Sequence, residues 1–229
     1  SQNSASKTIL LVEDEVLLAM GTKMTLEKNG YKVTHVLHGA AAIQAVEAGK
    51  IDLILMDIDL GRNKMDGTEA AEKILEKHTV PIIFHTGHSE KEMVDKVKGI
   101  TRYGYVLKNA GEFVLIEAIQ MAFELFNANR QIIEKEERYQ YMFEYSRSCV
   151  AVLKAVDDGN DFVFVDYNQT AEETDKIRKD EVIGNRVTEV FPGVEEFGLL
   201  DVFRTVWRTG ETKAHTDAFY SDERISGWR

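Results

Sequence analysis

The stretch Leu53–Asp59 reads LILMDID, and it decides the fold of the first half of the chain. Four consecutive apolar residues predict a short strand buried on both faces, which is typical of a parallel sheet covered by helices. Two carboxylates, Asp57 and Asp59, follow this strand directly. In open parallel sheets, sites form just outside the carboxyl ends of the strands. The stretch therefore predicts a buried central strand with an acidic site at its end.

Strand-like and helix-like segments alternate through residues 8–126. Further apolar, β-prone runs occur at Thr8–Val12, Tyr31–Val36, Val80–Phe84 and Tyr103–Leu107. Segments with helical periodicity lie between the runs, among them Val16–Asn29 and Thr68–Lys77. Five such alternations predict an α/β domain built as a (βα)5 doubly wound parallel sheet.

Composition limits the classes of function. The chain has 229 residues, enough for two domains of ~100–130 residues each. Its net charge of -11 argues against a general nucleic-acid-binding role, because phosphate backbones repel an acidic surface. A single cysteine, Cys149, excludes an internal disulfide and predicts a cytoplasmic setting. The six histidines lack paired metal-ligand spacing and are interpreted as structural or solvated, and we expect no membrane segment.

Acidic and basic side chains stand at the ends of several predicted strands. Glu13 and Asp14 close the first strand, Thr86 ends the fourth, and Lys108 follows the fifth. Because these ends converge, we expect a pocket in which crowded carboxylates attract a hard divalent cation. A carboxylate such as Asp57 can act as the nucleophile and form an aspartyl-phosphate. A lysine would neutralise phosphoryl charge, and a threonine hydroxyl would donate a hydrogen bond.

Residues 8–126 resemble a response regulator receiver domain, which has a flavodoxin-like fold. The resemblance is carried, in chain order, by Ile9–Glu15, Asp57, Met65–Gly67, Thr86–Gly87, Tyr105 and Lys108. It implies that Asp57 is the phosphoacceptor and that Mg²⁺ (or Mn²⁺) is the cofactor. The implied metal ligands are the side chains of Glu13, Asp14 and Asp57 and the backbone carbonyl of Asp59. Thr86 and Lys108 would stabilise the phosphoryl group, and Thr86 and Tyr105 would act as the conformational switch.

Two departures from the receiver pattern concern local geometry. Asn109 follows the lysine where the family usually has a proline, often in a cis peptide. A cis bond before asparagine costs ~3 kcal/mol, so we expect a trans peptide or a rearranged loop. The loop Leu60–Lys64 is also longer and more basic than usual.

The pattern changes after Tyr139. Strands are predicted at Val150–Val156 and Phe162–Tyr167, joined by a hairpin turn at Asp157–Asn160. This small α+β region resembles a PAS domain through residues 137–146, 165–168 and 182–184. The resemblance implies a sensor and dimerisation module, and no PAS cofactor is indicated. Because a PAS sheet usually continues beyond this point, the domain is expected to be truncated at its C-terminus.

Helical periodicity extends beyond the first domain. Apolar residues at Ile116, Ile119, Phe123, Phe126 and Ile133 are spaced as an a/d seam. The seam predicts a continuous helix that pairs with a second copy of the chain. Alternatively, its first part only packs on the sheet and a charged linker follows. The expected domains are a receiver at 7–126, a helical linker at 127–138 and a PAS-like domain at 139–229.

The expected function is phosphorelay signal transduction. A partner histidine kinase or phosphotransfer protein would donate to Asp57, and a helix would relay the change to a homodimer formed through the linker and the PAS domain. This arrangement is typical of multidomain or hybrid sensor histidine kinases, and the domain itself would at most phosphorylate and dephosphorylate itself. One alternative is an unphosphorylated scaffold that senses a ligand. Another is a haloacid-dehalogenase-type phosphatase, whose D-x-D motif Asp57–Asp59 resembles, although Leu60 stands where that family has glycine.

Overall fold

A computed structural model describes residues 6–61, 65–87, 97, 99–101, 103–215, 219–221 and 226–228. The chain divides into two compact units, residues 1–132 and 133–229, and each is described by itself. Arg62, Asn63 and Lys64, on which part of the long-loop prediction rests, lie outside the described residues. In the part of the chain that is described, no helix is both long and apolar enough to cross a membrane.

The first unit is built around a five-stranded parallel sheet. Its strands run in the order β2-β1-β3-β4-β5, so the predicted doubly wound sheet is confirmed. The strands are β1 (Thr8–Val12), β2 (Lys32–Val36), β3 (Leu53–Met56), β4 (Ile82–Thr86) and β5 (Tyr105–Leu107). The helices are α1 (Val16–Lys28), α2 (Gly39–Ala48), α3 (Gly67–Leu75) and the long helix α4 (Glu112–Glu144), which continues into the second unit.

Strand β3 lies at the centre of two hydrophobic layers. Leu53 and Leu55 pack with Leu26 of α1 and Ile119 of α4 on one face of the sheet. Ile54 and Met56 point to the other face, where residues of α2 and α3 cover them. All four side chains of β3 are fully buried, as the uninterrupted apolar run predicts.

The connection from β3 to α3 brings two backbone segments into close contact. Gly67 donates its N–H to the carbonyl of Ile58 over 2.9 Å. A Cβ atom at Gly67 would lie 1.8 Å from the backbone oxygen of Asp57, so no larger residue fits here. Asp66 caps the helix, because its Oδ1 accepts from the N–H of Thr68 at 2.8 Å. This connection fixes the main chain on both sides of the strand-end aspartate.

The second unit contains a hairpin with short helices. The hairpin consists of β6 (Ala151–Val156) and β7 (Asp161–Tyr167), which pair antiparallel around the turn Asp157–Gly159, as predicted. The described helices are α5 (Gln169–Asp175), α6 (Lys179–Val182), α7 (Val187–Val190) and α8 (Leu199–Thr209). Strand β8 (Phe219–Ser221) pairs antiparallel with β9 (Ser226–Trp228). Phe162, Phe164, Val182 and Leu200 are buried in its core.

A buried asparagine organises the backbone of the second unit. Asn168 is fully buried, and its Oδ1 accepts from the N–H groups of Val150 at 2.9 Å and Ala171 at 3.1 Å. Its Nδ2 donates to the carbonyls of Phe143 at 2.9 Å and Ser148 at 3.0 Å. One amide group therefore satisfies four backbone groups, including one in the last turn of α4.

Helix α4 is a single helix of 33 residues, so the prediction that helical structure continues past Phe126 is confirmed. The predicted pairing seam is wrong in its first half. Ile116, Ile119 and Phe123 are at most 8% exposed and pack in the core of the first unit. A seam buried against the chain's own sheet has no surface left for a second copy.

The network around Asn168 leads to a stability prediction. Replacing Asn168 with leucine removes all four of these hydrogen bonds. The N–H of Ala171 keeps the backbone carbonyl of residue 168 at 3.0 Å and the Phe143 carbonyl keeps the N–H of Ser146 at 3.4 Å, so the N–H of Val150 and the carbonyl of Ser148 are the groups that lose most. The cost is ~1–3 kcal/mol for each group that stays dry. We expect Asn168→Leu to lower the free energy of unfolding of the second unit by about 3 kcal/mol. Both tryptophans, Trp207 and Trp228, belong to this unit, so urea unfolding followed by tryptophan fluorescence reports on it alone.

Asn185→Leu is the matched control. Asn185 is exposed and its amide donates a single hydrogen bond to the carbonyl of Glu181. We expect this control to change stability by less than about 1 kcal/mol. Equal effects of the two substitutions would contradict the central role of Asn168.

Candidate functional site

The carboxyl ends of four strands meet at one edge of the five-stranded sheet. Glu13 and Asp14 follow β1, Asp57 follows β3, Thr86 ends β4, and Lys108 follows β5. The strand ladder extends one step beyond these ends, since the N–H of Asp57 donates to Val12 and the N–H of Lys108 donates to Thr86, each over 2.9 Å. The backbone therefore holds these groups in fixed positions.

Lys108 joins two buried carboxylates. Its Nζ lies 2.7 Å from Oε2 of Glu13 and 2.8 Å from Oδ2 of Asp57. Glu13 is 1% and Asp57 3% exposed, so both charges are almost removed from water. Buried charges of this kind persist only when paired, because desolvation costs several kcal/mol per ion. The positive charge of Lys108 thus offsets the cost of burying the Glu13 and Asp57 carboxylates.

Three carboxylates come close enough to share a metal ion. One oxygen each of Glu13, Asp14 and Asp57 lies within 4.8 Å of the other two, which is the cluster that the sequence predicts. Oxygen ligands from carboxylates suit a hard divalent cation such as Mg²⁺. Asp59 is exposed, and its backbone N–H donates to Oδ1 of Asp57 over 3.4 Å. Metal ligation by its carbonyl stays a prediction.

The protonation of Asp57 is shifted by its surroundings. Burial raises the pKa of Asp57 to about 6, although the hydrogen bond and positive charge of Lys108 act in the opposite direction. For Lys108, burial acts to lower the pKa, but the bonds to Asp57 and Glu13 outweigh it and the pKa is raised. The lysine is therefore charged at neutral pH, and the aspartate loses its proton only slightly below neutrality.

The predicted switch residues occupy adjacent strands. Thr86 is 2% exposed at the end of β4, beside Lys108. Tyr105 begins β5 and is 39% exposed, so its ring has access to solvent. The Lys108–Asn109 peptide is trans, as predicted for asparagine in place of proline. The Thr86 hydroxyl is therefore buried at the site, whereas the Tyr105 ring is partly exposed, and their role as a switch stays a prediction.

Two histidines lie next to the site, and no sequence motif predicted their position there. The Nε2 of His35 lies 2.8 Å from the carbonyl oxygen of Glu13, so it donates there and supports the acidic pair. His85, next to Thr86, is buried, and its Nδ1 has no hydrogen-bond partner among the described residues. Burial, followed by the charge of Lys108, lowers the pKa of His85 to about 4, so its ring is neutral at physiological pH.

Comparison with known proteins agrees with this geometry. The family model of the response regulator receiver domain matches residues 9–120. The transcriptional regulatory protein PdtaR of Mycobacterium tuberculosis is 31% identical over 121 residues, which cover 52% of this chain and 58% of that protein. The transcriptional regulatory protein YvrH of Bacillus subtilis is 39% identical over 95 residues, which cover 40% of this chain and 38% of that protein. The chain thus spans about half the length of these curated relatives, or less.

Solved structures extend the comparison. The N-terminal domain of a response regulator/sensory box/GGDEF 3-domain protein from Carboxydothermus hydrogenoformans is 44% identical, with a TM-score of 0.50, and the match covers 54% of this chain and 98% of that domain. The signal receiver domain of a modulated diguanylate cyclase from Desulfovibrio desulfuricans is 30% identical, with a TM-score of 0.50 and coverages of 54% and 98%.

The matched region includes Asp57 and Asp59, the residues on which the phosphatase alternative depends. It also includes the acidic pair and the lysine that the fold brings to the same edge of the sheet. Because sequence similarity, strand order and site geometry coincide over the same residues, this chain belongs to the response regulator receiver family.

Proposed function

We propose that Asp57 accepts a phosphoryl group from a phosphohistidine of a partner histidine kinase or phosphotransfer protein, with Mg²⁺ or Mn²⁺ as cofactor. The observation that carries the proposal is the position of the Asp57 carboxylate. This carboxylate is buried, and its Oδ2 lies 2.8 Å from Nζ of Lys108. One of its oxygens also lies within 4.8 Å of carboxylate oxygens of Glu13 and Asp14, close enough for the three to share a metal ion. The chain then works in a phosphorelay and has no catalytic role beyond self-phosphorylation and autodephosphorylation.

The transfer step has a simple balance. A carboxylate oxygen of Asp57 forms a bond to phosphorus while the P–N bond to the donor imidazole breaks, and the imidazole nitrogen retains the electron pair. Glu13 and Asp14, with Asp57 and the carbonyl of Asp59, would hold the cation, which neutralises charge on the phosphoryl oxygens when bound. The Lys108 ammonium and the Thr86 hydroxyl donate to those oxygens.

Lys108 changes partners in this proposal. Before the reaction it is bound to Glu13 and Asp57. With Glu13, Asp14 and Asp57 holding a cation and with a phosphoryl group on Asp57, the Lys108 ammonium would exchange its carboxylate partners for a phosphoryl oxygen. Thr86 and Tyr105 then shift on neighbouring strands, and helix α4 carries the change toward the second unit.

The second unit acts as a PAS-like sensor and dimerisation domain in this proposal. Its central hairpin supports the assignment, as does a cavity of about 290 Å³ lined mainly by apolar side chains such as Phe164, Phe191 and Phe203. The relative from Carboxydothermus hydrogenoformans likewise pairs its response regulator with a second module, a sensory box. The proposed domains are 7–126, 127–138 and 139–229, in a cytoplasmic protein that forms a homodimer.

The surface next to the site suits a helical donor. Helix α1 starts two residues after Asp14, and its solvent face carries Leu17, Met20 and Met24, which are 85%, 57% and 68% exposed. A donor imidazole must reach Asp57, so its protein must cover the rim of the pocket. We assign the α1 stripe to this contact, because exposed apolar patches beside a polar site mark protein interfaces.

The ligand-sensing scaffold is the second candidate function. A receiver that has lost phosphorylation has no need to keep three clustered carboxylates and a paired lysine, and this chain keeps all four. The 290 Å³ cavity is the observation that favours a ligand-sensing role for the second unit.

Intact mass measurement tests the phosphoacceptor. After incubation with Mg²⁺ and acetyl phosphate, we expect wild type to gain one phosphoryl group and Asp57→Ala to gain none. Glu72→Gln, which removes an exposed carboxylate of α3, should behave as wild type. An adduct that persists in Asp57→Ala would contradict the assignment. If neither protein reacts, beryllium fluoride binding in the presence of Mg²⁺ decides between the phosphorylated receiver and the scaffold.

The raised pKa of Asp57 predicts a pH-dependent stability. Because the pKa is raised from 3.8 to about 6, ionised Asp57 destabilises the cation-free fold above pH 6, and this cost disappears below pH 3.8. In EDTA at pH 7.5, we expect Asp57→Asn to stabilise the first unit by ~1–3 kcal/mol. At pH 4.5 the gain should fall by at least half.

Thermal unfolding by circular dichroism measures this effect, and Glu72→Gln controls for the change in net charge. Mg²⁺ should reduce the difference between wild type and Asp57→Asn, because the cation stabilises only the protein with the full carboxylate set. A gain that is the same at both pH values would show that titration of Asp57 is not its cause.

Substitution on α1 tests the docking surface. With any phosphohistidine donor that phosphorylates wild type, we expect Leu17→Ser to slow transfer by about tenfold, the effect of losing one apolar anchor. Met24→Ser, two turns further along the helix, should have a smaller effect. Phosphorylation by acetyl phosphate should be unchanged in both. Equal transfer rates in wild type and Leu17→Ser would exclude this face.

A further inference from the structure

The long helix α4 carries a second apolar stripe on its exposed side. Successive members are four, three, four, three, four and three residues apart, namely Met121, Leu125, Ala128, Ile132, Lys135, Tyr139 and Met142. This is the a/d spacing of a coiled coil over 22 residues, or about 33 Å of helix. Six of the seven side chains are apolar or aromatic.

The stripe is largely exposed among the residues that the structure describes. Met121, Ile132 and Met142 are 68%, 65% and 67% exposed, and Leu125 and Tyr139 are both 43% exposed. All residues from 130 to 142 are exposed, although the Tyr139 ring stacks on Phe143 in the next turn of the same helix, with the ring centroids 5.5 Å apart. Five large apolar side chains in one line are more than the isolated exposed residues that a protein surface normally carries.

The other seam of the helix is unavailable. Its first members face the sheet, and beyond Phe126 it continues through polar residues except at Ile133. Ile132 and Ile133 are adjacent and similarly exposed, at 65% and 54%, yet they belong to different stripes. The exposed stripe retains its apolar character to the end of the helix, whereas the buried one does not.

We propose that a second copy of this chain packs along the exposed stripe, with Ile132 in the contact and Ile133 outside it. The 4-3 spacing is that of helices packing as knobs into holes, and a copy brings the same spacing to the interface. Burying ~100 Å² of each of the five large side chains removes about 1,000 Å² from the pair, which reaches the range of weak specific interfaces.

Lys135 supports a second copy as the occupant. A single charged residue at a seam position lowers stability but selects the number of chains, and here Glu134 and Glu136 of a second copy would bring the opposite charge to Lys135. The inference rests on the homodimer of the proposed function and names the face through which it forms. Phosphorylation of Asp57 is not needed for it.

Sedimentation velocity of the full chain over a wide concentration range tests the proposal. We expect wild type to dimerise, Ile132→Asp to weaken dimerisation by at least tenfold, and Ile133→Asp to match wild type. Both positions are exposed, so both variants should fold, which far-ultraviolet circular dichroism and tryptophan fluorescence verify. A monomeric wild type, equal effects of the two substitutions, or a larger effect at Ile133 would overturn the proposal.

Disulfide trapping provides a second measurement. In a Cys149→Ser background, Ile132→Cys should cross-link two copies on oxidation, whereas the exposed off-stripe control Asn127→Cys should not. Cross-linking that is equal at both positions would overturn the proposed face. Intact-mass phosphorylation of Ile132→Asp keeps the two proposals distinguishable. If this variant gains a phosphoryl group and still dimerises as wild type does, only the stripe is contradicted. If it no longer dimerises and gains no phosphoryl group, only the phosphoacceptor is contradicted.

Discussion

The contact of Lys108 with Glu13 and Asp57 is the constraint on which the site depends. Two carboxylates at 1% and 3% exposure repel each other and lose their hydration, and the ammonium at 2.7 and 2.8 Å compensates for both effects. The parallel sheet makes this possible, because it brings the ends of β1, β3 and β5 to one edge. Lys108 is consequently the group that compensates the two carboxylates in this structure, and under the proposed function a bound divalent cation would take over part of that role.

Sequence reasoning succeeded where the chemistry is local or the topology is forced. The apolar run before Asp57 is a strand buried on both faces, and the alternation of strands and helices specified the doubly wound sheet. Once the sheet is parallel, strand-end residues must converge, so Glu13, Asp14, Asp57 and Lys108 were identifiable before their distances were known. The type and order of the strands and helices were enough to predict which residues lie at the site.

Contacts that join distant segments were not predictable in the same way. His35 supports the backbone of Glu13 from a neighbouring strand, and nothing in its local sequence distinguishes it from a solvated histidine. Asn168 gathers four backbone groups from three segments. The helical period identified the Ile116 seam on α4 but not whether that seam meets the sheet or a second copy, because this depends on how the helix is rotated against the sheet. Burial resolved the ambiguity in favour of the sheet.

Gly67 has a consequence for how mutational data on such a site are interpreted. The position has no room for a methyl group because a Cβ there would meet the main chain of Asp57 and Ile58, so the constraint is steric and comes from backbone atoms. In a saturation screen for signalling, position 67 would rank with Asp57, the proposed phosphoacceptor, as intolerant to every replacement. That ranking would report excluded volume, and only a comparison of folding with activity could separate such a steric position from a chemical one.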